Sequence, residues 1–219
     1  MVMIKDEIMK YEEMVYLLKT AKTAEEIDRF REEIAALIPQ VRVMFDYDQK
    51  NHAHPYDLWM HCLHTVVNLD RNMDDDMLYL AAMLHDIGKT KCQVAGTKPG
   101  DTNMHYYGHP EKSAEIVQDE ILNELYQHDA NLFFEDQKRL VYYVRYHDEH
   151  VSLRMEYLRP HLNMVSLDVF KKLMLLQVAD AKAHILIPII EERIEKCEKL
   201  SGEYSDYLQE QILQEGKLI

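Results

Sequence analysis

Met77-Leu78-Tyr79-Leu80-Ala81-Ala82-Met83-Leu84-His85-Asp86-Ile87-Gly88 is the stretch from which the rest of the chain can be read. Its apolar run predicts a helix that ends on an imidazole and a carboxylate side by side, followed by Gly88 and Lys89. Neighbours on a regular helix point about 100° apart, so His85 and Asp86 cannot share one face. At a helix end they can still converge on one ion. Gly88 reads as the residue just past the helix, which puts the pair in the last turn, where unpaired carbonyls make the field negative and favour a cation. A metal site follows if other ligands arrive at the same place; a solvated helix end is the alternative.

Composition sets the class. Gly and Pro number only 6 each in 219 residues, while Leu, Met, Glu, Lys and Ala are plentiful, which predicts an all-α protein. That length suits one domain, residues 1–219, with a core at about 35–185 and helical extensions at 1–34 and 186–219. The net charge of −14 argues against non-specific nucleic-acid binding, which needs a basic surface to replace counterions. It leaves room for a small phosphate ester held through a metal, since the ion supplies the local positive charge. Cys62, Cys92 and Cys197 show no CxxC spacing and read as free thiols of a reducing compartment. No apolar stretch reaches the roughly 18 residues of a membrane span, and Met1 to Glu7 carries no signal-peptide core. A cytoplasmic protein without a membrane partner is the expectation.

Ile4, Ile8, Tyr11, Val15 and Leu18 recur at helical spacing over residues 4–20. Thr23-Ala24-Glu25-Glu26 is a capping box for a second helix with Ile27, Phe30, Ile34 and Leu37 on its apolar face and Pro39 beyond its end. Periodicity fails from Val41 to Pro55, a polar connection whose His52 and His54 either support a site or are solvated. A helix over 56–69 carries His61 and His64, three apart; one of them suffices as a ligand. Asp74 to Asp76 can cap the helix that runs into His85-Asp86.

Thr90 to Gly108, with Gly96, Pro99 and Gly100, reads as a long loop, a lid or a disordered segment. Pro110 suits a first helical position, which places His109 at the N-cap of a helix reaching about Leu125. A helix around 137–150 turns His147 to the inward face with Leu140 and Val144. Ser166 caps a helix from Leu167 to about His184, on which Asp180 falls along the apolar stripe of Phe170, Leu173, Met174 and Gln177. A carboxylate on a buried face needs a cation or strong donors, because an isolated buried charge costs several kcal/mol. The remainder, Leu186 to Ile219, carries Ile190, Ile194, Cys197 and Leu200 in register before Gly202 and reads as a packing extension.

The assembled order is His61, His85-Asp86, His109, His147, Asp180, each at or near a helical element. This order resembles the HD-domain metal-dependent phosphohydrolase superfamily. The flanking residues are similar to the HD domain attached to bacterial CCA-adding tRNA nucleotidyltransferases: Asp48-Gln49-Lys50-Asn51, His54 to Thr65, Leu84 to Lys89, Tyr107 to Ala114 and Arg145-Tyr146-His147-Asp148. The likeness covers roughly residues 35–185, and no nucleotidyltransferase head is present, so nucleotide addition is not inherited.

The resemblance implies an all-α HD-domain helical bundle in which His61, His85, Asp86 and Asp180 hold one divalent ion. His109 and His147 would join where two ions bind, with Asp86 bridging. Imidazole and carboxylate suit Mn, Fe, Co, Ni or Zn. Asp86 and Lys89 are the catalytic candidates, and Lys89, Arg145 and His64 the candidates for contact with substrate, a small phosphate ester and in particular a nucleotide. Two rival functions share the pattern: a di-iron oxygenase, and a non-catalytic binding module that keeps its metal for structure.

Overall fold

Every residue from Met77 to Leu84 is buried, and this explains the architecture. A helix apolar on all sides cannot lie on a surface, so other helices must surround it. In the computed structural model, which describes residues 9–71, 73–185 and 187–216, this helix is α5 (Asp76–Leu84). It is packed by α1 (Tyr11–Thr20), α4 (Leu58–Asn68), α9 (Phe134–Tyr146) and α11 (Leu167–Ala181). Asn68 Nδ2 donates to Ala179 O at 2.9 Å, tying α4 to α11. The protein is all-α, as predicted; the strands among the described residues form one small antiparallel pair, β1 (Val94–Ala95) and β2 (Met104–His105).

The remaining elements follow in chain order. After α1 come α2 (Ala24–Asp28), α3 (Arg31–Leu37) and a 3-10 turn (Pro39–Met44). Beyond α5 lie α6 (Lys89–Cys92), the hairpin and α7 (His109–Ile116), which passes through a π turn (Val117–Ile121) into α8 (Leu122–Gln127). α10 (Met155–Leu162) contains Pro160 and lies where no element was predicted. α12 (Ile187–Ser201) packs on α11, and α13 (Glu203–Gly216) on α12. No described helix is long and apolar enough to cross a membrane.

Several local expectations are corrected. Ile4 and Ile8 of the first predicted helix lie outside the described residues, as do Leu186 and residues 217–219 of the extension. Half of the capping box forms: Thr23 Oγ1 accepts from Glu26 N at 3.3 Å, but Glu26 Oε2 accepts from Lys22 N at 2.8 Å and not from Thr23 N. Its helix nevertheless breaks at Phe30, which is exposed, while Asp28 Oδ1 accepts from Trp59 Nε1 at 2.9 Å and both Asp28 oxygens accept from Arg31.

Asp75 precedes α5 without capping it by its side chain. Its carboxylate is buried, accepting from Tyr143 Oη at 2.9 Å and facing Arg139 Nε and Lys172 Nζ, each at 3.3 Å. Thr90 to Gly108 is no structureless loop: it holds α6 and the hairpin, anchored where Met104 N donates to Lys50 O at 2.8 Å and Asn51 Nδ2 to Met104 O at 3.0 Å. His109 is the first residue of α7, one place inside the predicted cap, because Gly108 turns the chain at φ 76°.

Gly88 is the most instructive correction. Its φ of −66° is right-handed, so the left-handed C-terminal conformation is not what a glycine supplies here. A Cβ at this position would lie 2.5 Å from Ser113 N and 2.6 Å from His109 O. Glycine is needed for close approach, and that approach brings the start of α7 against the His85-Asp86 turn.

Candidate metal centre

Each candidate ligand sits where a helix delivers it. Asp57 starts α4 by accepting from Met60 N at 2.8 Å, and His61 lies on the buried side of that helix. His85 ends α5, and the chain then tightens, with Ile87 N on Leu84 O at 3.2 Å and Lys89 N on Asp86 O at 2.9 Å. This turn frees Asp86 from the helical register and resolves the facing problem of adjacent residues. His109 begins α7, His147 ends α9, and Asp180 lies in the last turn of α11, which Ser166 caps by accepting from Val169 N at 3.3 Å.

Three of the four histidines are oriented the same way. His85 Nδ1 lies 2.9 Å from Ala82 O, His109 Nδ1 2.8 Å from Tyr106 O and His147 Nδ1 2.7 Å from Val144 O. A carbonyl only accepts, so each Nδ1 carries a proton, and in the neutral imidazole each Nε2 then presents a lone pair. This is the arrangement by which backbone carbonyls orient metal-binding imidazoles.

The Nε2 atoms converge on two carboxylates. Asp86 Oδ2 lies 3.2 Å from His61 Nε2 and 3.3 Å from His85 Nε2, while Asp86 Oδ1 lies 3.0 Å from His109 Nε2 and 3.4 Å from His147 Nε2. Asp180 Oδ1 faces the first pair only, 3.1 Å from His61 Nε2 and 3.5 Å from His85 Nε2. The six residues thus divide into two donor groups joined by Asp86.

This set fits a divalent ion. Buried lone pairs that face each other repel unless a cation lies among them, and His61 Nε2, His85 Nε2, Asp86 Oδ1 and Asp180 Oδ1 are buried without a hydrogen-bond partner. Ligand bonds of about 2.1 Å put tetrahedral neighbours about 3.4 Å apart, close to the separations found here. One donor atom each from His61, His85 and Asp180 lies within 4.8 Å of the others, and so do those of His85, Asp86 and His147.

Burial opposes ionisation of both aspartates, yet both carboxyls are held well below the usual range: Asp86 by the Lys89 ammonium and by His85, Asp180 by His184 and by His61. Burial likewise works against a charge on His85, but the Asp86 carboxylate outweighs it and the imidazole is pushed well up. A positive charge at Nε2 is what this surrounding favours.

Lys89 is buried, not solvated. Its Nζ lies 2.6 Å from Asp86 Oδ2 and 3.0 Å from Gln49 Oε1, over the Tyr106 ring. Burial penalises its charge and Asp86 restores it, so the ammonium stays protonated. A cavity of about 330 Å³ opens above the centre, with Asp86, Lys89, His109, His147 and Asp180 in its wall and Tyr107 beside them.

Two candidates for substrate contact are elsewhere. Arg145 lies two residues before His147 on α9, hence on a different face, and lines a separate groove with Phe134 and Met164. His64 stacks on Tyr56, ring centroids 3.9 Å apart, and is not in the cavity wall. His52 is exposed and bonds Asn103 through its backbone.

The structure decides between the two readings of His54 and brings in two residues, His184 and Arg193, that the sequence pattern did not single out as ligands or contacts. His54 and His184 line the cavity; His184 follows Asp180 by four residues, a helical spacing that could have flagged it. Arg193 of α12 donates to Asp180 Oδ2 at 3.1 Å and Asp148 Oδ1 at 3.1 Å, a contact with no local signal in sequence.

An all-α bundle with paired histidine groups around a shared aspartate defines a helical domain whose buried residues could hold a metal ion. A family model for the HD domain matches residues 52–183, more than half of the chain, and the chain belongs to the HD-domain family. That family forms a superfamily of metal-dependent phosphohydrolases. No curated protein matches the chain.

Proposed function

We propose that this chain is a metal-dependent phosphohydrolase that cleaves a small phosphate ester, a nucleotide or a related molecule, as one cytoplasmic HD-type unit with helical extensions. The observation that carries the reading is that the two oxygens of Asp86 face two separate histidine pairs. His61, His85, Asp86 and Asp180 would hold one ion, and Asp86, His109 and His147 a second. Such ions lower the pKa of bound water and polarise a phosphoryl oxygen.

The chain's own residues supply the rest. The carbonyls of Ala82, Tyr106 and Val144 hold three imidazoles in the tautomer that leaves Nε2 free. Lys89 keeps a buried positive charge at the cavity wall, where a phosphoryl oxygen is attracted to it more strongly than in water. Tyr107, 76% exposed and stacked parallel to His105, gives the cavity mouth a flat aromatic ledge suited to a base. The motif likeness to the HD domain of CCA-adding enzymes also favours a nucleotide-derived substrate.

Purified protein is expected to carry a transition metal and to hydrolyse an aryl phosphate without oxygen, and Asp86→Ala to lose both properties. Retained metal with unchanged turnover in that variant overturns the reading. Turnover that requires oxygen and an iron spectrum points instead to a di-iron oxygenase.

A further inference from the structure

We infer that His54 and His184, with His61 and Asp180, form a further divalent-metal position adjoining the six-residue centre. The inference rests on the reading of that centre as metal-binding.

Three rings from separate elements meet here. His54 comes from the connection before α4, His61 from α4 and His184 from the turn after α11. The His54 and His184 centroids are 4.4 Å apart, those of His54 and His61 5.2 Å, and those of His61 and His184 4.9 Å. One nitrogen from each of the three lies within 4.8 Å of the other two.

A core histidine kept for packing satisfies its nitrogens by hydrogen bonds. These do not: His54 Nδ1, His184 Nε2 and both ring nitrogens of His61 are buried without a partner. His61 also differs from the other three histidines of the centre, whose Nδ1 atoms are bonded to backbone carbonyls. With both nitrogens uncommitted, it can serve both donor groups as an imidazolate, its ring proton released to solvent as the ions bind.

A carboxylate is at hand, since His184 Nε2 lies 3.8 Å from Asp180 Oδ1, and Arg193 holds the other oxygen of Asp180. Imidazole nitrogens with one carboxylate oxygen select a late transition ion such as cobalt, nickel or zinc over magnesium or calcium.

The test is a cobalt titration of the full chain after removal of metal by a chelator, read by elemental analysis and visible absorption. The wild type should saturate one equivalent above His54→Ala and His184→Ala. His64→Ala, whose ring stacks on Tyr56 outside the cavity, should keep the wild-type number. His54→Gln and His184→Gln, with circular dichroism as a check on folding, guard against loss through misfolding and should show the same missing equivalent. Equal saturation of the wild type and folded variants at both positions overturns the inference and leaves the proposed hydrolase standing. A wild-type chain that binds no cobalt overturns both.

Discussion

Arg193 Nη1 donates to Asp180 Oδ2 at 3.1 Å, on the carboxylate oxygen that does not face His61 and His85. The same guanidinium reaches Gln177 O at 2.9 Å and, through Nη2, Asp148 Oδ1 at 3.1 Å. Arg193 lies beyond residues 52–183, so the extension fixes the carboxylate of a centre that the family match encloses. Arg193→Met should weaken divalent-ion binding about 10- to 100-fold, the usual effect of losing a group that orients a ligand. Arg193→Lys should recover part of it, since lysine keeps the charge and loses the fork. Calorimetric titration of the metal-free protein checks this, and equal affinities in all three proteins would sink it.

Gly88→Ala tests close approach. The added methyl would meet Ser113 N at 2.5 Å, His109 O at 2.6 Å and Ser113 Oγ at 2.8 Å, and two of these atoms are backbone. α7 must shift, and with it His109. The variant should lose about 1–3 kcal/mol of stability, as overpacked sites do. Ser113→Ala should not rescue it, because the backbone clashes remain. Denaturant unfolding of the two variants and their combination decides the matter.

What was legible in the sequence was whatever local chemistry encodes. Thr23, Asp57 and Ser166 cap helices because a side-chain oxygen reaches an amide two or three residues on. The order of the candidate ligands was legible too, since His61, His85, Asp86, His109, His147 and Asp180 each occupy a helix end or inward face. Asp75 could not be read correctly: an acidic residue before an apolar helix looks like a cap, and only the distant Tyr143, Arg139 and Lys172 make it a buried anchor. Arg193 was hidden for the same reason, and Arg145 was misplaced because two residues of helix carry it to another face.

Lys89 stands between binding and chemistry. Its Nζ is 2.6 Å from Asp86 Oδ2, the oxygen that also faces His61 and His85, so the ammonium competes there with a divalent ion. Lys89→Met keeps the aliphatic stem and removes the charge. It should bind metal at least as tightly as the wild type while aryl-phosphate turnover falls about 100-fold, the scale for losing one charge-stabilising donor. Unchanged turnover with metal bound would remove Lys89 from the reaction.

His161 sets a pH dependence away from the metal centre. It is buried in the contact between α9, α10 and α11, its Nδ1 2.9 Å from Tyr142 Oη and its ring near Phe170. Burial pushes its pKa below the usual 6.5, against a weaker pull upward from Glu149. As pH falls through 6.5, the unfolded chain takes up a proton at this residue that the folded chain does not. Stability from this group is therefore lost progressively from pH 6.5 down to its folded pKa. His161→Gln keeps an acceptor for Tyr142 and removes the titration. The melting-temperature advantage of the wild type over His161→Gln should shrink between pH 7.5 and 5, measured on metal-free protein so that loss of ions plays no part. A gap that widens with acidity would mean that the folded imidazole binds its proton more tightly than the unfolded one.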